Sequence, residues 1–236
     1  MAAPWARLRR LIADPYDPST LAGRARTRRW DSLLQLFPDL AEMSVVDLGG
    51  DTRHWAGAPV RPRRLVLLNI RGYALDEAGG NGAELVFGDA CDPPDSLTDQ
   101  RFDLVYSNSV IEHVGGPWRR RAFADSVHRL GPGHWIQTPY RFFPLEPHWL
   151  FPGFQFMPLA ARAAFDRIWP LRPRGPGRPD EAQGPASVES TLDVELLTKT
   201  EMRHLFPTSE LIEERFAGLT KSLIAVRTLD IEPAKD

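Results

Sequence analysis

A short apolar segment followed by two glycines constrains this chain more than any other feature of its sequence. Residues 44–48 include two adjacent valines, which is typical of a buried strand. Gly49 and Gly50 follow, and either Asp51 or Thr52 can cap the N-terminus of a helix at that point. A strand, a glycine turn and a helix start form a turn at which the backbone can approach a nucleotide closely. An ordinary tight turn has the same pattern, so the motif alone leaves both interpretations open.

The composition favours one globular domain. The chain has 236 residues, of which 42% are hydrophobic, enough for a single core, and we expect one domain over residues 1–236. We find no apolar run of about 18 residues and no signal-peptide pattern, so we expect a cytoplasmic protein that does not engage a membrane. The single Cys91 excludes an intrachain disulfide and a cysteine-rich zinc site. A net charge of −2 argues against a nucleic-acid partner.

Apolar segments recur along the chain at spacings that suit alternating strands and helices. Two segments near the end of the chain are separated only by a short turn that contains Gly218, so they predict an antiparallel hairpin. The other spacings predict parallel strands joined by right-handed crossovers. We therefore expect an α/β fold with a Rossmann-like, doubly wound, mostly parallel sheet closed by the C-terminal hairpin. The predicted strands are residues 44–48, 64–69, 84–87, 102–107, 134–138, 210–216 and 222–227.

The two remaining stretches of the chain are predicted to lie outside the sheet. Residues 1–40 contain two helical patterns, at 5–12 and 20–37, which we expect to cap the carboxyl ends of the strands. Four arginines in the second pattern either face an anionic substrate or form a solvated helix face; they are Arg24, Arg26, Arg28 and Arg29. Residues 170–187 are rich in Pro, Gly and Arg without apolar periodicity, so we expect an exposed, mobile loop.

Four motifs follow one another in the order found in class I S-adenosylmethionine-dependent methyltransferases. They are residues 45–49, 88–90, 102–107 and 110–114. Together they resemble this superfamily over roughly residues 44–140, in particular bacterial small-molecule or saccharide O-methyltransferases. The predicted hairpin fits the reversed last strand of that fold. The resemblance implies S-adenosylmethionine as cofactor and S-adenosylhomocysteine as product.

The resemblance also implies which residues meet the cofactor. The first turn would hold the methionyl part, the acid after the third strand and the next residue would meet the adenine, and the end of the fourth strand would line the sulfonium region. These residues are Asp47, Gly49, Gly50, Asp89, Ala90, Ser107, Asn108 and Ser109.

Two departures from the family pattern concern the cofactor. Asp51 and Arg53 stand where the family usually has glycines, so either the turn opens differently or Asp51 caps the next helix. Asn69 replaces the acid that usually grips the ribose, and it is either a weaker ribose contact or a turn residue at the strand end. These departures raise the alternative of a degenerate, non-catalytic binding fold.

The segment after the fifth strand lies where this fold has its substrate loop. His148 is the predicted general base because an imidazole titrates near neutral pH, and Glu146 would orient it or bind substrate. His113 ranks second as a base. The predicted substrate contacts are Tyr140, Arg141 and Phe142. The alternative is a proline-rigidified surface loop in which His148 packs among aromatic neighbours.

Glu112 and His113 raise the question of a metal. Related methyltransferases of ubiquinone biosynthesis and of small-RNA 3′ ends carry a Glu-x-x-Glu-His motif that binds a divalent ion, but Ser109 stands here in place of the first acid. Glu112, His113 and His148 could form a partial site, yet we predict no metal, with magnesium allowed but not favoured.

We expect methyl transfer to a hydroxyl of a small molecule or saccharide. The alternatives are a metal-assisted O- or N-methyltransferase and a catalytically dead cofactor-binding partner protein. The sequence leaves open whether the chain forms a homodimer.

Overall fold

The computed structural model describes residues 17, 19–70, 82–171 and 185–229. The helix predicted at 5–12 and most of the loop predicted at 170–187 lie outside the described residues, and residues 185–187 begin a helix. The described helices are α1 (Leu21–Leu36), α2 (Thr52–Ala56), α3 (Asp95–Thr98), α4 (Pro117–Leu130), α5 (Leu159–Ile168), α6 (Pro185–Leu192) and α7 (Lys199–Leu205). The described strands are β1 (Ser44–Leu48), β2 (Arg64–Asn69), β3 (Glu84–Phe87), β4 (Leu104–Asn108), β5 (Gly133–Pro139), β6 (Leu145–Glu146), β7 (Phe151–Pro152), β8 (Glu210–Phe216) and β9 (Leu219–Arg227).

Seven of these strands form one sheet in the order β3-β2-β1-β4-β5-β9-β8. The first five are parallel: in β1, Val46 pairs with Val66 of β2 on one side and with Val105 of β4 on the other. β9 runs antiparallel between β5 and β8, so that Trp135 pairs with Val226. The predicted mostly parallel sheet closed by a C-terminal antiparallel hairpin is therefore confirmed.

The central strands are apolar on both faces because helices cover both faces of the sheet. Successive side chains of a strand point to opposite faces. Val46 accordingly joins the core that contains Phe123 of α4 and Met202 of α7. Its neighbour Val45 joins the core that contains Trp30 of α1. The sheet is thus the middle of three layers, with α1 on one side and α4 and α7 on the other.

α1 is the helix predicted at residues 20–37. Thr20 caps it by accepting a hydrogen bond from the backbone N–H of Gly23 at 2.9 Å. Leu33, on the apolar side of the helix, is buried against the sheet. Arg29 leaves the helix toward the carboxyl end of β4, where it donates to Asn108 Oδ1 at 3.0 Å. α1 therefore covers one face of the sheet and brings the Arg29 guanidinium to the carboxyl ends of the parallel strands.

After β5 the chain forms a small antiparallel pair of strands, β6 and β7, outside the main sheet. Trp149 stacks on Phe154 at a centroid distance of 4.3 Å, and both belong to a separate buried cluster with Val194 and Leu196. This cluster anchors the segment that carries Glu146 and His148. In the described part of the chain, every helix is too short or too polar to cross a bilayer.

Candidate functional site

The turn after β1 is built on the two glycines that the sequence indicated. Gly49 has φ of +82°, and a Cβ atom at this position would overlap the side chain of Val110. Asp51 caps α2, since its carboxylate accepts from the backbone N–H of Arg53 at 2.8 Å. Asp51 therefore acts as a helix cap, while Gly49 and Gly50 form the tight part of the turn.

A cavity of about 310 Å³ opens beside this turn, at the carboxyl ends of the strands. We call it the glycine-turn cavity. Six residues that the sequence singled out for the cofactor or for catalysis line it: Gly49, Asn69, Asp89, Ala90, Ser109 and His113. The other lining residues are Leu68, Ile70, Gly88, Val110, Val114 and Arg119. A volume of this size is at the lower end of the range of small-molecule pockets.

Asn69 and Asp89 already have local hydrogen bonds. Asn69 donates from Nδ2 to the carbonyl of Gly50 at 2.9 Å, and its Oδ1 accepts from the N–H of Ile70. This agrees with the interpretation of Asn69 as a strand-end turn residue and leaves its predicted ribose contact a prediction. Asp89 accepts from Arg119 Nη2 at 2.6 Å and from the N–H of Cys91 at 2.9 Å. These donors hold the Asp89 pKa below its ordinary value although burial opposes them.

Asp47 and Gly50 do not line the glycine-turn cavity. Asp47 is 2% exposed and accepts from Trp55 Nε1 at 2.8 Å. Burial raises the pKa of Asp47 to about 7, while the Trp55 hydrogen bond opposes the shift and the Asp51 charge adds to it. Asp47 thus lies beneath the turn as a buried carboxyl group that titrates near neutral pH.

Ser107 and Asn108 point away from the cavity as well. Ser107 is fully buried and donates to the carbonyl of Leu48 at 2.9 Å. Asn108 accepts from Arg29. The next residue, Ser109, lines the cavity and has φ of +59°. Of the three residues predicted at this strand end, Ser109 therefore lines the cavity, whereas Ser107 and Asn108 do not.

The three residues predicted for catalysis form a continuous chain at the cavity. His148 Nδ1 lies 2.7 Å from Glu146 Oε1, and His148 Nε2 lies 3.1 Å from Nε2 of His113, which lines the cavity. Glu146 is buried, and its other oxygen accepts from the N–H of Trp149. The segment from β6 to β7 therefore holds His148 against His113, which follows β4 in the chain.

The partners of the two imidazoles fix which nitrogens carry hydrogen. His113 Nδ1 lies 3.2 Å from the carbonyl oxygen of Asp193, which can only accept, so Nδ1 donates. His148 Nδ1 donates to the carboxylate of Glu146 in the same way. In the neutral rings both Nε2 atoms would then present lone pairs to each other across 3.1 Å. A proton or a cation shared by the two atoms removes that repulsion.

Glu112 lies next to this histidine pair. Its Oε2 accepts from the hydroxyl of Thr138 at 2.9 Å, whereas its buried Oε1 has no hydrogen-bond partner among the described residues. Ligand atoms of Glu112, His113 and His148 all lie within 4.8 Å of one another. This arrangement could hold a metal ion, and the outward donation of both Nδ1 atoms is the arrangement typical of metal-bound histidine.

Two of the predicted substrate contacts meet each other, since the rings of Tyr140 and Phe142 are in edge-to-face contact at a centroid distance of 5.6 Å. Phe142 is 57% exposed and stacks on Phe156 at a centroid distance of 5.9 Å. The Tyr140 ring lies beneath the ammonium of Lys199, 5.4 Å from its centroid. Arg141 lines a small pocket together with Glu146. Their substrate roles remain predictions.

Two contributors to the site have no signal in the local sequence. Arg119 reaches the Asp89 carboxylate from α4, and the Asp193 carbonyl orients His113 from beyond α6. A strand-end motif marks its own residues only, so contacts from distant elements escape sequence reasoning.

Comparisons with known proteins give a remote relationship. No protein-family model matches the chain. The uncharacterized protein Rv1509 of Mycobacterium tuberculosis is 31% identical over 78 residues, which are 33% of this chain and 27% of that protein, so the match spans about a quarter of the relative's length.

Two solved structures match most of this chain at low sequence identity. The methyltransferase domain of bacterial-CtHen1-CN has a TM-score of 0.51 and 11% identity, with 86% of this chain and 98% of that domain covered. The N-terminal domain of EvdMO1, solved in the presence of SAH and D-fucose, has a TM-score of 0.48 and 18% identity, with 85% and 81% covered.

Proposed function

We propose that this chain, whose fold is that of the class I S-adenosylmethionine-dependent methyltransferases, transfers a methyl group from S-adenosylmethionine to a hydroxyl of a small molecule or saccharide. The fold assignment rests on the sheet order, with its antiparallel last pair, and on the similarity to a methyltransferase domain. The observation that carries the proposal is the contact between His113, which lines the glycine-turn cavity, and His148. A pair of histidines beside the predicted cofactor site supports a general-base role in this proposal.

The residues of the cavity fit the cofactor. Asp89 retains acceptor capacity on a carboxylate that is partly exposed, as a contact to an amino group requires. Asn69 and the backbone at Gly49 line the same cavity. In this proposal Asp89 and Ala90 meet the adenine, Asn69 lies near the ribose, and the turn at Gly49 meets the methionyl part. When bound, the sulfonium supplies an activated methyl group.

The protein's own contribution is to position the acceptor and to take up its proton. Methyl transfer is an in-line displacement, so alignment of the hydroxyl with the donor accounts for much of the rate. The hydroxyl proton would pass to the paired Nε2 atoms of His148 and His113. The buried Glu146 carboxylate beside His148 Nδ1 would orient the ring and stabilise the imidazolium that forms.

A metal-assisted O- or N-methyltransferase is the second candidate, and the unpartnered Oε1 of Glu112 favours it. Two imidazoles and one carboxylate are a donor set that suits manganese, iron or zinc better than magnesium, which prefers oxygen ligands. In that case Glu112, His113 and His148 would be ligands, and the ion would activate the acceptor oxygen as a Lewis acid.

The first experiment is calorimetric titration of S-adenosylmethionine and S-adenosylhomocysteine, each with EDTA, magnesium or manganese. Micromolar binding of both supports the cofactor site, and dependence on manganese supports the second candidate. The absence of binding under every condition would contradict the enzyme proposal and favour a partner protein with this fold.

The second experiment measures methyl transfer to a panel of saccharides and phenols from labelled cofactor. His148→Asn should reduce turnover at least a hundredfold under metal-free conditions while cofactor binding is retained. His204→Asn is the matched control, because His204 is exposed on α7. Equal turnover in wild type and His148→Asn would rule out His148 as the base.

A further inference from the structure

A second cavity, of about 420 Å³, lies between α1 and the β8–β9 hairpin. We call it the basic cavity, because four cationic side chains and one acidic side chain line it: Arg24, Arg28, Arg215, Lys221 and Glu214. It has no lining residue in common with the glycine-turn cavity. Two of the arginines belong to the cluster that the sequence marked in α1.

The one acidic residue in this lining does not balance the cations. Both carboxylate oxygens of Glu214 accept from Arg29 Nε, at 2.7 and 2.9 Å, and Arg29 does not line the cavity. Arg24 donates to the backbone carbonyl of Ser19, which carries no net charge. Arg215 has a salt bridge with Glu213 at 3.8 Å. Arg24, Arg28 and Lys221 have none among the described residues, so the cavity keeps a net positive charge.

Lys221 shows the cost of this arrangement most directly. Burial of its side chain lowers its pKa from the ordinary value, and the nearby charge of Arg29 lowers it further, against the weaker opposing effect of Glu214. A partly buried ammonium group that makes no salt bridge loses hydration, and the more distant Glu214 offsets this loss only in part. A bound anion would supply the missing interaction.

The remaining lining of the cavity is largely apolar. Ile212 and Ile224 form part of it, and Phe216, which is 42% exposed, lies at the end of β8. Fixed cations beside an apolar surface suit a ligand with one anionic group and one hydrocarbon or aromatic part, because each part then has a complementary surface. Inorganic ions alone would leave the apolar surface exposed.

We infer that the basic cavity is a binding site for a small organic anion. Its phosphate or carboxylate group would lie between Arg28 and Lys221, and its apolar part would contact Phe216 and Ile212. The backbone carbonyl of Lys221 accepts from the N–H of Tyr140, the residue directly after β5. The basic cavity and the glycine-turn cavity therefore both lie at the end of the sheet where the parallel strands have their carboxyl ends. The inference does not depend on methyl transfer.

The test is calorimetric titration of the full chain with phenyl phosphate, benzoate and benzyl alcohol, which share an aromatic ring and differ in charge. We expect at least one anion to bind, and the uncharged alcohol to bind at least tenfold more weakly. Tighter binding of phenyl phosphate identifies a phosphate site, and tighter binding of benzoate a carboxylate site. The absence of binding by both anions would overturn the inference.

Two variants and a control locate the site. Arg28→Gln and Lys221→Met should each weaken binding of the preferred anion about tenfold, whereas Arg129→Gln, at an exposed position of α4, should leave it unchanged. Arg28 is exposed on α1, so its replacement leaves the core intact even if Lys221→Met fails to fold. Wild-type anion affinity in Arg28→Gln would overturn the inference. Unchanged S-adenosylmethionine binding in the same variants separates this result from the proposed function.

Discussion

Replacement of Asp47 by Asn tests the buried carboxyl group beneath the glycine turn. Burial raises the pKa of Asp47 to about 7 in the folded protein, from an ordinary value of 3.8. Between these values the unfolded chain has lost the proton that the folded chain retains, so a rise in pH favours the unfolded state. The stability of the wild type therefore falls as pH rises from about 4 to about 7.

The size of this effect follows from the pKa difference. One pKa unit corresponds to about 1.4 kcal/mol, so the full interval amounts to about 4 kcal/mol, and the part between pH 5 and pH 8 to about 3 kcal/mol. Asp47→Asn has no carboxyl group to titrate, and its amide oxygen can still accept from Trp55 Nε1. Relative to wild type, the variant should gain about 3 kcal/mol of stability between pH 5 and pH 8.

The assay is urea unfolding of both proteins at pH 5 and pH 8, followed by circular dichroism, with Asp39→Asn as a control at an exposed position. A difference between Asp47→Asn and wild type that is the same at both pH values would refute the reasoning about burial. If Asp47 also meets the cofactor, S-adenosylmethionine binding by the wild type should tighten from pH 6 to pH 8, and this pH dependence should disappear in Asp47→Asn.

Three further predictions concern single residues of the site. Asp89→Asn should weaken S-adenosylmethionine binding about tenfold by calorimetry, because a charged acceptor is lost; wild-type affinity would remove Asp89 from the cofactor site. Glu146→Gln should lower kcat about a hundredfold with little change in KM in the methyl-transfer assay, since the neutral amide no longer stabilises an imidazolium on His148; unchanged kcat would contradict its positioning role. Gly49→Ala should cost about 3 kcal/mol and lower Tm by about 10 °C in a calorimetric scan, owing to the positive φ and the overlap with Val110; an unchanged Tm would mean that the turn relaxes freely.

The sheet could be predicted because strand periodicity and connection length are local properties of the sequence. The remaining error is at the strand ends. The fourth strand was predicted at residues 102–107, whereas β4 is Leu104–Asn108. Phe102 lies outside this pairing and donates its N–H to the carbonyl of Leu130 at the end of α4, while Asp103 donates to Ser44 at the start of β1. Such hydrogen bonds depend on the packing of distant elements, which apolar patterning does not record.

The sequence named cavity-lining residues where a motif fixes the end of a strand. Asp89 and Ala90 follow β3 after Gly88 and line the cavity, and their cofactor roles stay predictions. Ser107 and Asn108 also end a strand, but alternation turns Ser107 toward the Leu48 carbonyl and Asn108 toward Arg29. When the end of a strand is misjudged by one residue, each side chain is assigned to the wrong face of the sheet. The sequence could therefore name the segment but not the residue whose side chain enters the cavity.

The contact between His113 and His148 links the two candidate mechanisms, because both depend on the same lone pairs. General-base catalysis requires an Nε2 atom that can take up the proton of the hydroxyl that is methylated. Metal binding uses the same atom as a ligand, together with the unpartnered Oε1 of Glu112. A metal ion that binds tightly therefore removes His148 as a base and transfers the activation of the acceptor to the ion. The metal dependence of turnover consequently decides the chemical role of His148, and Glu146 orients the ring in both cases.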